Sequence, residues 1–155
     1  MRLYQVLLAA FLFPALASSQ VASQLNLMPM PASVQQGSGT LPIVQTFSVS
    51  TTGVHDPALE AGVQRFIGQL SRETGIRFQS QAAASATLTV HADKPLEAVQ
   101  KLGEDESYQL TVTDSSAQLT APTTLGALHG LQTFLQLVTI GPSGFAAPAV
   151  TINRA

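Results

Sequence analysis

The sequence predicts an α+β fold: a mixed β-sheet of about four to five strands with two main helices packed on one face. Residues 86–92 and 107–121 alternate apolar and polar side chains, as strands with one buried face do. Apolar residues after Asp56, and again after Thr123, instead recur every three or four positions, which is the spacing of an amphipathic helix. The resulting order of strand, helix, strand, hairpin, helix and strand is typical of a sheet covered by helices.

The first residues have the pattern of a secretory signal peptide. Arg2 precedes an apolar run at 6–17, which at about a dozen residues is shorter than the roughly 20 that span a bilayer. The small residues Ala15 and Ala17 suit signal peptidase, so we expect residues 1–17 to be removed. The alternative is a buried N-terminal helix. Since no later segment is long and apolar enough to be a membrane anchor, we expect an exported protein without one.

The composition narrows the class of protein further. The absence of Cys excludes disulfides, thiolate chemistry and Cys–zinc sites, and in an exported protein it favours the bacterial periplasm or the extracellular space. Without Arg2 the chain has 6 basic and 9 acidic residues, a net charge of −3, which is the wrong sign for a nucleic-acid partner. The remaining 138 or so residues suffice for one domain, predicted at 25–155.

The segment after the signal is predicted to be an extended, turn-rich lead-in at 18–43. Its turn-forming residues are Pro29, Pro31, Gly37, Gly39 and Pro42. A strand is predicted next at 44–51, with three core candidates: Val44, Phe47 and Val49.

The first helix has clear start and stop residues. Asp56 is a typical N-cap, Pro57 fits the first turn, and Gly75 can end the helix with a positive φ. The apolar stripe consists of Leu59, Val63, Phe66, Ile67 and Leu70.

The next strands are predicted from alternation. Residues 86–92 bury Leu88 and Val90, and residues 93–106 form a polar connection with at most one short helical turn. A hairpin follows, with its turn at 114–116. Its two inward faces are Tyr108, Leu110 and Val112, and Ala117, Leu119 and Ala121.

The second helix is predicted at 123–138, capped by Thr123 or Thr124. Gly126 and Gly130 share one of its faces, and each weakens a helix by about 1 kcal/mol relative to Ala. Close packing of the backbone against the sheet is the simplest reason for such a pair. The apolar stripe is Leu128, Leu131, Leu135 and Val138; Gly141-Pro142 is expected to end the helix, and 147–155 to begin a last strand.

The residues that carry chemistry are sparse and scattered. His55, His91 and His129 form no HExxH motif, and we interpret them as solvated or hydrogen-bonded rather than as metal ligands. No G-x-S-x-G elbow and no glycine-rich phosphate loop is present. No catalytic, cofactor-binding or metal-binding residue is therefore predicted, and no cofactor. If the chain were an enzyme of unknown type, His129 would be the best candidate.

Asp105 and Glu106 stand side by side, as the two carboxylates of some glycosidases do. Adjacent residues entering a strand point to opposite faces, so these side chains would not converge on one bond. A catalytic pair also needs burial or a like charge to raise one pKa, whereas Glu104 and Lys101 place this pair in a polar connection. We interpret the pair as a solvated strand entrance, with the catalytic pair as the alternative.

Residues 106–138 resemble the non-catalytic N-terminal domain of the β-N-acetylhexosaminidases of glycoside hydrolase family 20. The shared pattern is an E-x-Y-x-L hairpin, a short L-x-A strand and then G-A-x-x-G-L-x-T-x-x-Q-L. The lead-in at 25–43 is similar to the family's I-P-x-P opening, so the resemblance covers about 25–154. The helix positions that match are Gly126, Ala127, Gly130, Leu131, Thr133, Gln136 and Leu137.

The resemblance implies an activity that lies outside this chain. Family enzymes remove terminal β-linked N-acetylglucosamine or N-acetylgalactosamine with retention, the substrate's own acetamido oxygen acting as nucleophile beside an Asp-Glu pair. That pair belongs to a (β/α)₈ barrel C-terminal to this domain, whose sugar pocket is lined with Trp, and this chain has no Trp. Asp105-Glu106 is accordingly not that pair, and we expect a fragment that lacks the barrel.

Two other functions stay open at this point. A free-standing envelope or carbohydrate-binding module would need exposed aromatic side chains, yet Tyr108 is the one Tyr or Trp after the signal and is predicted to point inward. A stand-alone enzyme would need convergent polar residues. An accessory domain, by contrast, predicts an exposed apolar patch and poor solubility when it is expressed alone.

Overall fold

The computed structural model describes residues 25–78, 86–99 and 101–155, which form seven strands and two helices. In chain order these are β1 Ser33–Pro42, β2 Val49–Gly53, α1 Pro57–Thr74, β3 Leu88–Lys94, β4 Tyr108–Val112, β5 Ala117–Thr123, α2 Thr124–Leu137, β6 Thr139–Gly141 and β7 Gly144–Arg154. The signal peptide predicted at residues 1–17 and the start of the lead-in lie outside the described residues. None of the helices within the described ranges has the length and apolarity needed to cross a membrane.

The strands form one mixed sheet in the order β1-β7-β4-β5-β3-β2, and β6 pairs with the first part of β7. Strand β3 runs parallel to both β2 and β5, and the other pairs are antiparallel. Helix α1 makes the crossover between the parallel strands β2 and β3, which need a long connection. The predicted α+β class with a mixed sheet is confirmed.

The sheet has more strands than the four to five expected. Strand β1 lies within the predicted lead-in and was not recognised as a strand. It is an edge strand whose side chains are almost all exposed and whose register shifts between Gln36 and Thr40. Strand β6 is only three residues long. Neither strand has the alternation of apolar and polar residues from which the others were predicted.

The two helices pack side by side over one face of the sheet, as expected. Gly62 of α1 lies against the side chain of Leu128 in α2. The rings of Phe66 in α1 and Phe134 in α2 meet edge to face, with centroids 5.7 Å apart. This face carries the core, while the opposite face is covered by polar side chains such as those of Thr111, Gln118 and Thr151.

Helix α1 begins and ends at the predicted residues. The Asp56 side chain caps it by accepting a hydrogen bond from the Ala58 N–H at 2.8 Å, and Gly75 ends it with a φ of 71°. The second Asp56 oxygen accepts from the N–H of Leu96, at 2.7 Å, in the connection after β3. One buried carboxylate thus joins the start of α1 to a loop 40 residues away.

Burial and hydrogen bonding act in opposite directions on Asp56. Desolvation disfavours the charged form. It is outweighed by the nearby Thr124 hydroxyl and by the hydrogen bonds that the N–H groups of Leu96 and Ala58 donate, so the pKa of Asp56 is lowered from 3.8. The Thr124 hydroxyl is fully buried and forms no hydrogen bond of ordinary geometry within the described part of the chain. The Asp56 carboxylate is therefore held in its charged form by the fold.

The glycines of α2 allow the close approach to the sheet that was predicted. A Cβ atom on Gly126 would lie far inside van der Waals contact with the carbonyl oxygen of Ser107, just before β4. A Cβ atom on Gly130 would collide with the side chain of Leu119 in β5. The Ser107 carbonyl is backbone and cannot rotate away, so α2 could not pack this close to the sheet with any larger residue at position 126.

Two local predictions were wrong. The strand predicted at 44–51 begins only at Val49, and Val44 is 49% exposed, although Phe47 is buried as expected. Helix α2 ends at Leu137, before Gly141-Pro142, because Val138 already has an extended backbone and leads into β6. The predicted polar connection begins after Lys94, the last residue of β3, and the optional helical turn does not occur among its described residues, which are all but residue 100.

Candidate functional site

The two adjacent carboxylates lie just before β4, and they have different partners. The Asp105 side chain accepts a hydrogen bond from the N–H of Ser107 at 2.9 Å. The Glu106 side chain accepts from the Arg154 guanidinium at 3.2 Å and lies 3.2 Å from Nδ1 of His129. The carboxylates therefore diverge, as the alternation of a strand entrance predicts.

The electrostatics of Asp105 are also unlike those of a general acid. Hydrogen bonds from the hydroxyl and the N–H of Ser107 lower the pKa of Asp105 from 3.8. A carboxyl group that donates a proton to a glycosidic oxygen needs its pKa raised instead. The environment of Asp105 thus favours a turn-forming role.

Glu106, His129 and Arg154, called the Glu106 cluster below, come from three different elements. Glu106 is two residues before the buried Tyr108, so it lies on the same, helix-covered face of the sheet. Arg154 of β7 pairs directly with Tyr108 of β4. His129 projects from α2. The cluster lies where β7 ends, and its side chains are 45%, 32% and 20% exposed for Glu106, His129 and Arg154.

The other two histidines lie apart from this cluster. His55 is 2.9 Å from Glu60 at the start of α1 and is 84% exposed. His91 lies on the polar face of the sheet, 3.0 Å from both Thr52 and Asp93. Each histidine thus has a carboxylate partner, and the described residues contain no group of three or more potential metal ligands.

A cavity of about 240 Å³ borders the Glu106 cluster, between α2 and the lead-in. The Gln136 side chain fixes one wall of it by donating to the carbonyl oxygen of Met28 and accepting from the Met28 N–H, both at 2.8 Å. The lining consists of Met28, Pro29, His129, Gln132, Thr133, Gln136 and Arg154. Apolar and cationic side chains therefore share one surface here.

Sequence reasoning did not find Arg154, Gln136 or Met28 as partners of this surface. Gln136 and Met28 are 108 positions apart, and Arg154 and Glu106 are 48 apart, so no local spacing links them. The sequence offered one indication of this surface, the M-P-M-P stretch at 28–31, because its apolar residues do not follow the spacing of a helix or a strand.

Tyr108 is buried, as predicted, and its hydroxyl is hydrogen-bonded to that of Thr133 in α2. This bond joins β4 to the middle of α2, directly beneath the cavity. The ring is 4% exposed, so it offers no surface on which a sugar could stack.

Replacing Glu106 by Gln is expected to lower the free energy of unfolding by no more than about 1 kcal/mol, because the cluster is partly solvated. The difference should shrink at high salt, which screens such pairs. Urea denaturation of the wild-type chain and of Glu106→Gln measures it, with the exposed Glu97→Gln as control. A loss several times larger, unaffected by salt, would contradict the description of the cluster as a solvated surface group.

The chain matches one protein family over most of its length. The family model described as "beta acetyl hexosaminidase like" matches residues 27–137. Beta-hexosaminidase 3 of Arabidopsis thaliana is 33% identical over an alignment 141 residues long, which covers 82% of this chain and 26% of that protein. Beta-hexosaminidase subunit A1 of Dictyostelium discoideum is 27% identical over 117 residues, 74% of this chain and 21% of that protein.

Solved structures agree with the sequence matches. The chitobiase of Flavobacterium johnsoniae is similar with a TM-score of 0.78 and 34% identity, over 84% of this chain and 20% of that one. An exo-β-N-acetylglucosaminidase of Vibrio harveyi shares the fold, with a TM-score of 0.63 and 18% identity over 83% of this chain and 19% of that one.

The chain thus spans only about a fifth to a quarter of the length of these relatives. Its α+β fold, the glycine-bearing helix packed on the hairpin and the family match over residues 27–137 agree with one another. The chain therefore belongs to the beta-acetyl-hexosaminidase-like family, as an N-terminal domain of glycoside hydrolase family 20.

Proposed function

We propose that this is the accessory N-terminal domain of an exported β-N-acetylhexosaminidase, which releases terminal N-acetylglucosamine or N-acetylgalactosamine in carbohydrate metabolism. The observation that carries the proposal is the match over residues 27–137 to a family in whose members, such as the 34% identical chitobiase, the matched part is only about a fifth to a quarter of the protein. The rest of such an enzyme is a (β/α)₈ barrel C-terminal to residue 155.

In this proposal the barrel supplies the chemistry and the domain supplies none. Asp105 is engaged by Ser107, and Glu106 by Arg154 and His129, so both carboxylates have structural roles. The sequence has no Trp with which to line a sugar pocket, and Tyr108 is buried. No residue of 25–155 is assigned to catalysis, and no cofactor or metal takes part.

Export to the bacterial periplasm or the extracellular space is the second part of the proposal. The apolar run at 6–17 after Arg2 supports it, and so does a composition without Cys. Detection of the chain in the culture supernatant or periplasmic fraction, shortened at or near Ala17, is the expected result. A full-length chain found in the cytoplasm would contradict export.

The accessory role is tested by measuring hydrolysis of p-nitrophenyl N-acetyl-β-glucosaminide by two proteins. One is the 155-residue chain alone, and the other is a chimera in which the whole chain replaces the matching fifth of the Flavobacterium johnsoniae chitobiase. We expect no hydrolysis by the chain alone and chitobiase-like hydrolysis by the chimera.

Two results would contradict the proposal. Hydrolysis by the chain alone would make it an enzyme in its own right. Binding of chitooligosaccharides by the chain alone, measured by calorimetry and combined with an inactive chimera, would favour a free-standing binding module. The unmodified chitobiase, assayed in parallel, gives the activity against which any loss in the chimera is measured.

A further inference from the structure

We propose that the surface formed by Met28, Pro29 and Met30, together with His129 and Arg154, is where the domain that follows β7 docks in the longer enzyme. We call these five residues the Met28 surface. The inference rests on the proposed function, and it adds which face of the domain is covered and by what chemistry. The partner is an apolar groove that takes the two methionines, bordered by oxygen acceptors for the N–H donors of Arg154 and His129.

The methionines are exposed on a backbone that is held in place. Met28 is 77% exposed and Met30 is 87% exposed. The backbone of their segment is fixed to the domain. Gln136 of α2 forms hydrogen bonds with both the N–H and the carbonyl oxygen of Met28, and the side chain of Leu27 is buried in the core. Large apolar side chains presented by a fixed segment are typical of a surface that contacts a partner.

The end of β7 places the following polypeptide beside this surface. Arg154, the last residue of β7, lines the same cavity as Met28 and Pro29. Strand β7 is held on both sides, since Tyr108 pairs with Arg154 and Ser33 pairs with Asn153. A domain joined to this end of the chain would therefore begin next to the Met28 surface, and the covalent link would give it a high effective concentration there.

The polar part of the surface indicates what the partner presents. Glu106 lies within 3.2 Å of both Arg154 and His129, so one carboxylate faces the nitrogen atoms of two side chains. A guanidinium has five N–H donors, and that of Arg154 also borders the cavity. Carboxylate or carbonyl oxygens on the partner would satisfy donors that Glu106 does not take.

Two exposed apolar side chains elsewhere in the domain lack these features. Val99 and Leu102 are 72% and 107% exposed, but they lie in the connection between β3 and β4 and do not line the cavity at the end of β7. They provide a matched control, because replacing both by Gln removes as many large apolar side chains as replacing both methionines.

The test uses the chimera of the whole chain with the Flavobacterium johnsoniae chitobiase, in three forms: unmodified, Met28→Gln/Met30→Gln and Val99→Gln/Leu102→Gln. The unmodified chimera is expected to unfold in one calorimetric transition. The methionine variant is expected to unfold its N-terminal domain at a temperature lower by roughly 3 °C or more, because it loses the docking contacts. The control variant is expected to match the unmodified chimera.

A second measurement separates docking from stability of the domain itself. In the 155-residue chain alone, the methionine substitutions should leave the unfolding temperature unchanged, since the side chains are exposed there, and should raise solubility. An equal loss in the chain and in the chimera would mean that the methionines stabilise the domain internally, and the docking inference would be wrong.

The remaining outcomes distinguish this inference from the proposed function. A stable, active chimera whose unfolding temperature is not lowered by the methionine substitutions contradicts the docking surface alone, whatever the control pair does. An unmodified chimera that is inactive, while the folded chain alone binds chitooligosaccharides, contradicts the proposed function. A dimer of the chain alone that the methionine substitutions dissociate, with no effect in the chimera, would assign the surface to a second copy and overturn the inference.

Discussion

Replacing Gly126 by Ala is expected to lower the free energy of unfolding by about 2 to 3 kcal/mol. The added methyl group would collide with the carbonyl oxygen of Ser107, which is backbone and cannot rotate away. The collision outweighs the gain of about 1 kcal/mol that Ala brings to a helix interior. Urea denaturation followed by far-ultraviolet circular dichroism measures the change.

Gly68 of α1 provides the matched control, because it is also a helical glycine. A Cβ atom there meets nothing nearer than the flexible guanidinium of Arg72, at 3.5 Å. Gly68→Ala is therefore expected to raise the free energy of unfolding by about 0.5 to 1 kcal/mol. If both substitutions shifted stability in the same direction, the close approach of α2 to the strand β4 entrance would be refuted.

Replacing Asp56 by Ala is expected to cost about 2 to 4 kcal/mol, since it removes an N-cap and leaves a second N–H without its partner. The cap is the hydrogen bond from Ala58, and the second donor is Leu96. Asp56→Asn keeps one acceptor oxygen and should recover part of the loss. The same denaturation experiment measures both variants.

The exposed Asp93, which contacts His91 at the surface, is the control for Asp56. Asp93→Ala is expected to change the free energy of unfolding by less than about 0.5 kcal/mol. An Asp56→Ala variant no less stable than Asp93→Ala would show that the carboxylate does not join α1 to the connection after β3.

The contribution of Asp56 should also depend on pH, with a sign set by its lowered pKa. Because hydrogen bonds to the charged form lower the pKa of Asp56 from 3.8, folding favours the ionised carboxylate. Its contribution is complete above 3.8 and is lost as the pH falls through the lowered value. The stability difference between the wild-type chain and Asp56→Asn should therefore be constant near neutrality and shrink in acid; a difference that grows in acid would contradict the assignment.

The parts of the fold that could be predicted are those encoded by neighbouring residues. Asp56, Pro57 and Gly75 specify the ends of α1 by their own backbone and side-chain chemistry, and the structure has them in these roles. Gly126 and Gly130 indicated a close contact, although the sequence could not say that Ser107 and Leu119 are what they meet. The chemistry of neighbouring residues thus predicted the ends of α1 and the close packing of α2, but not the residues that α2 packs against.

The errors arose where a tertiary partner decides the structure. Strand β1 is recognisable only by its pairing with β7, because its exposed side chains show no apolar alternation. Helix α2 ends at Leu137 because the chain turns into the β6–β7 hairpin, not because Gly141 or Pro142 breaks it.

The candidate site divides in the same way. That Asp105 and Glu106 diverge followed from the alternation of a strand. That Glu106 meets Arg154 and His129 depends on the pairing of β4 with β7 and on the depth of α2, which no motif encodes. The identity of the domain came from a pattern spread over 106–138 and from a family match over 27–137, rather than from any single residue.

The central claim is that this domain serves a hexosaminidase whose chemistry lies in a following barrel. The most direct measurement is to sequence the gene past the codon for Ala155 and to translate it in all three frames. We expect several hundred residues of a (β/α)₈ barrel with an adjacent Asp-Glu pair and several Trp. A genuine stop codon with no barrel encoded nearby would contradict it.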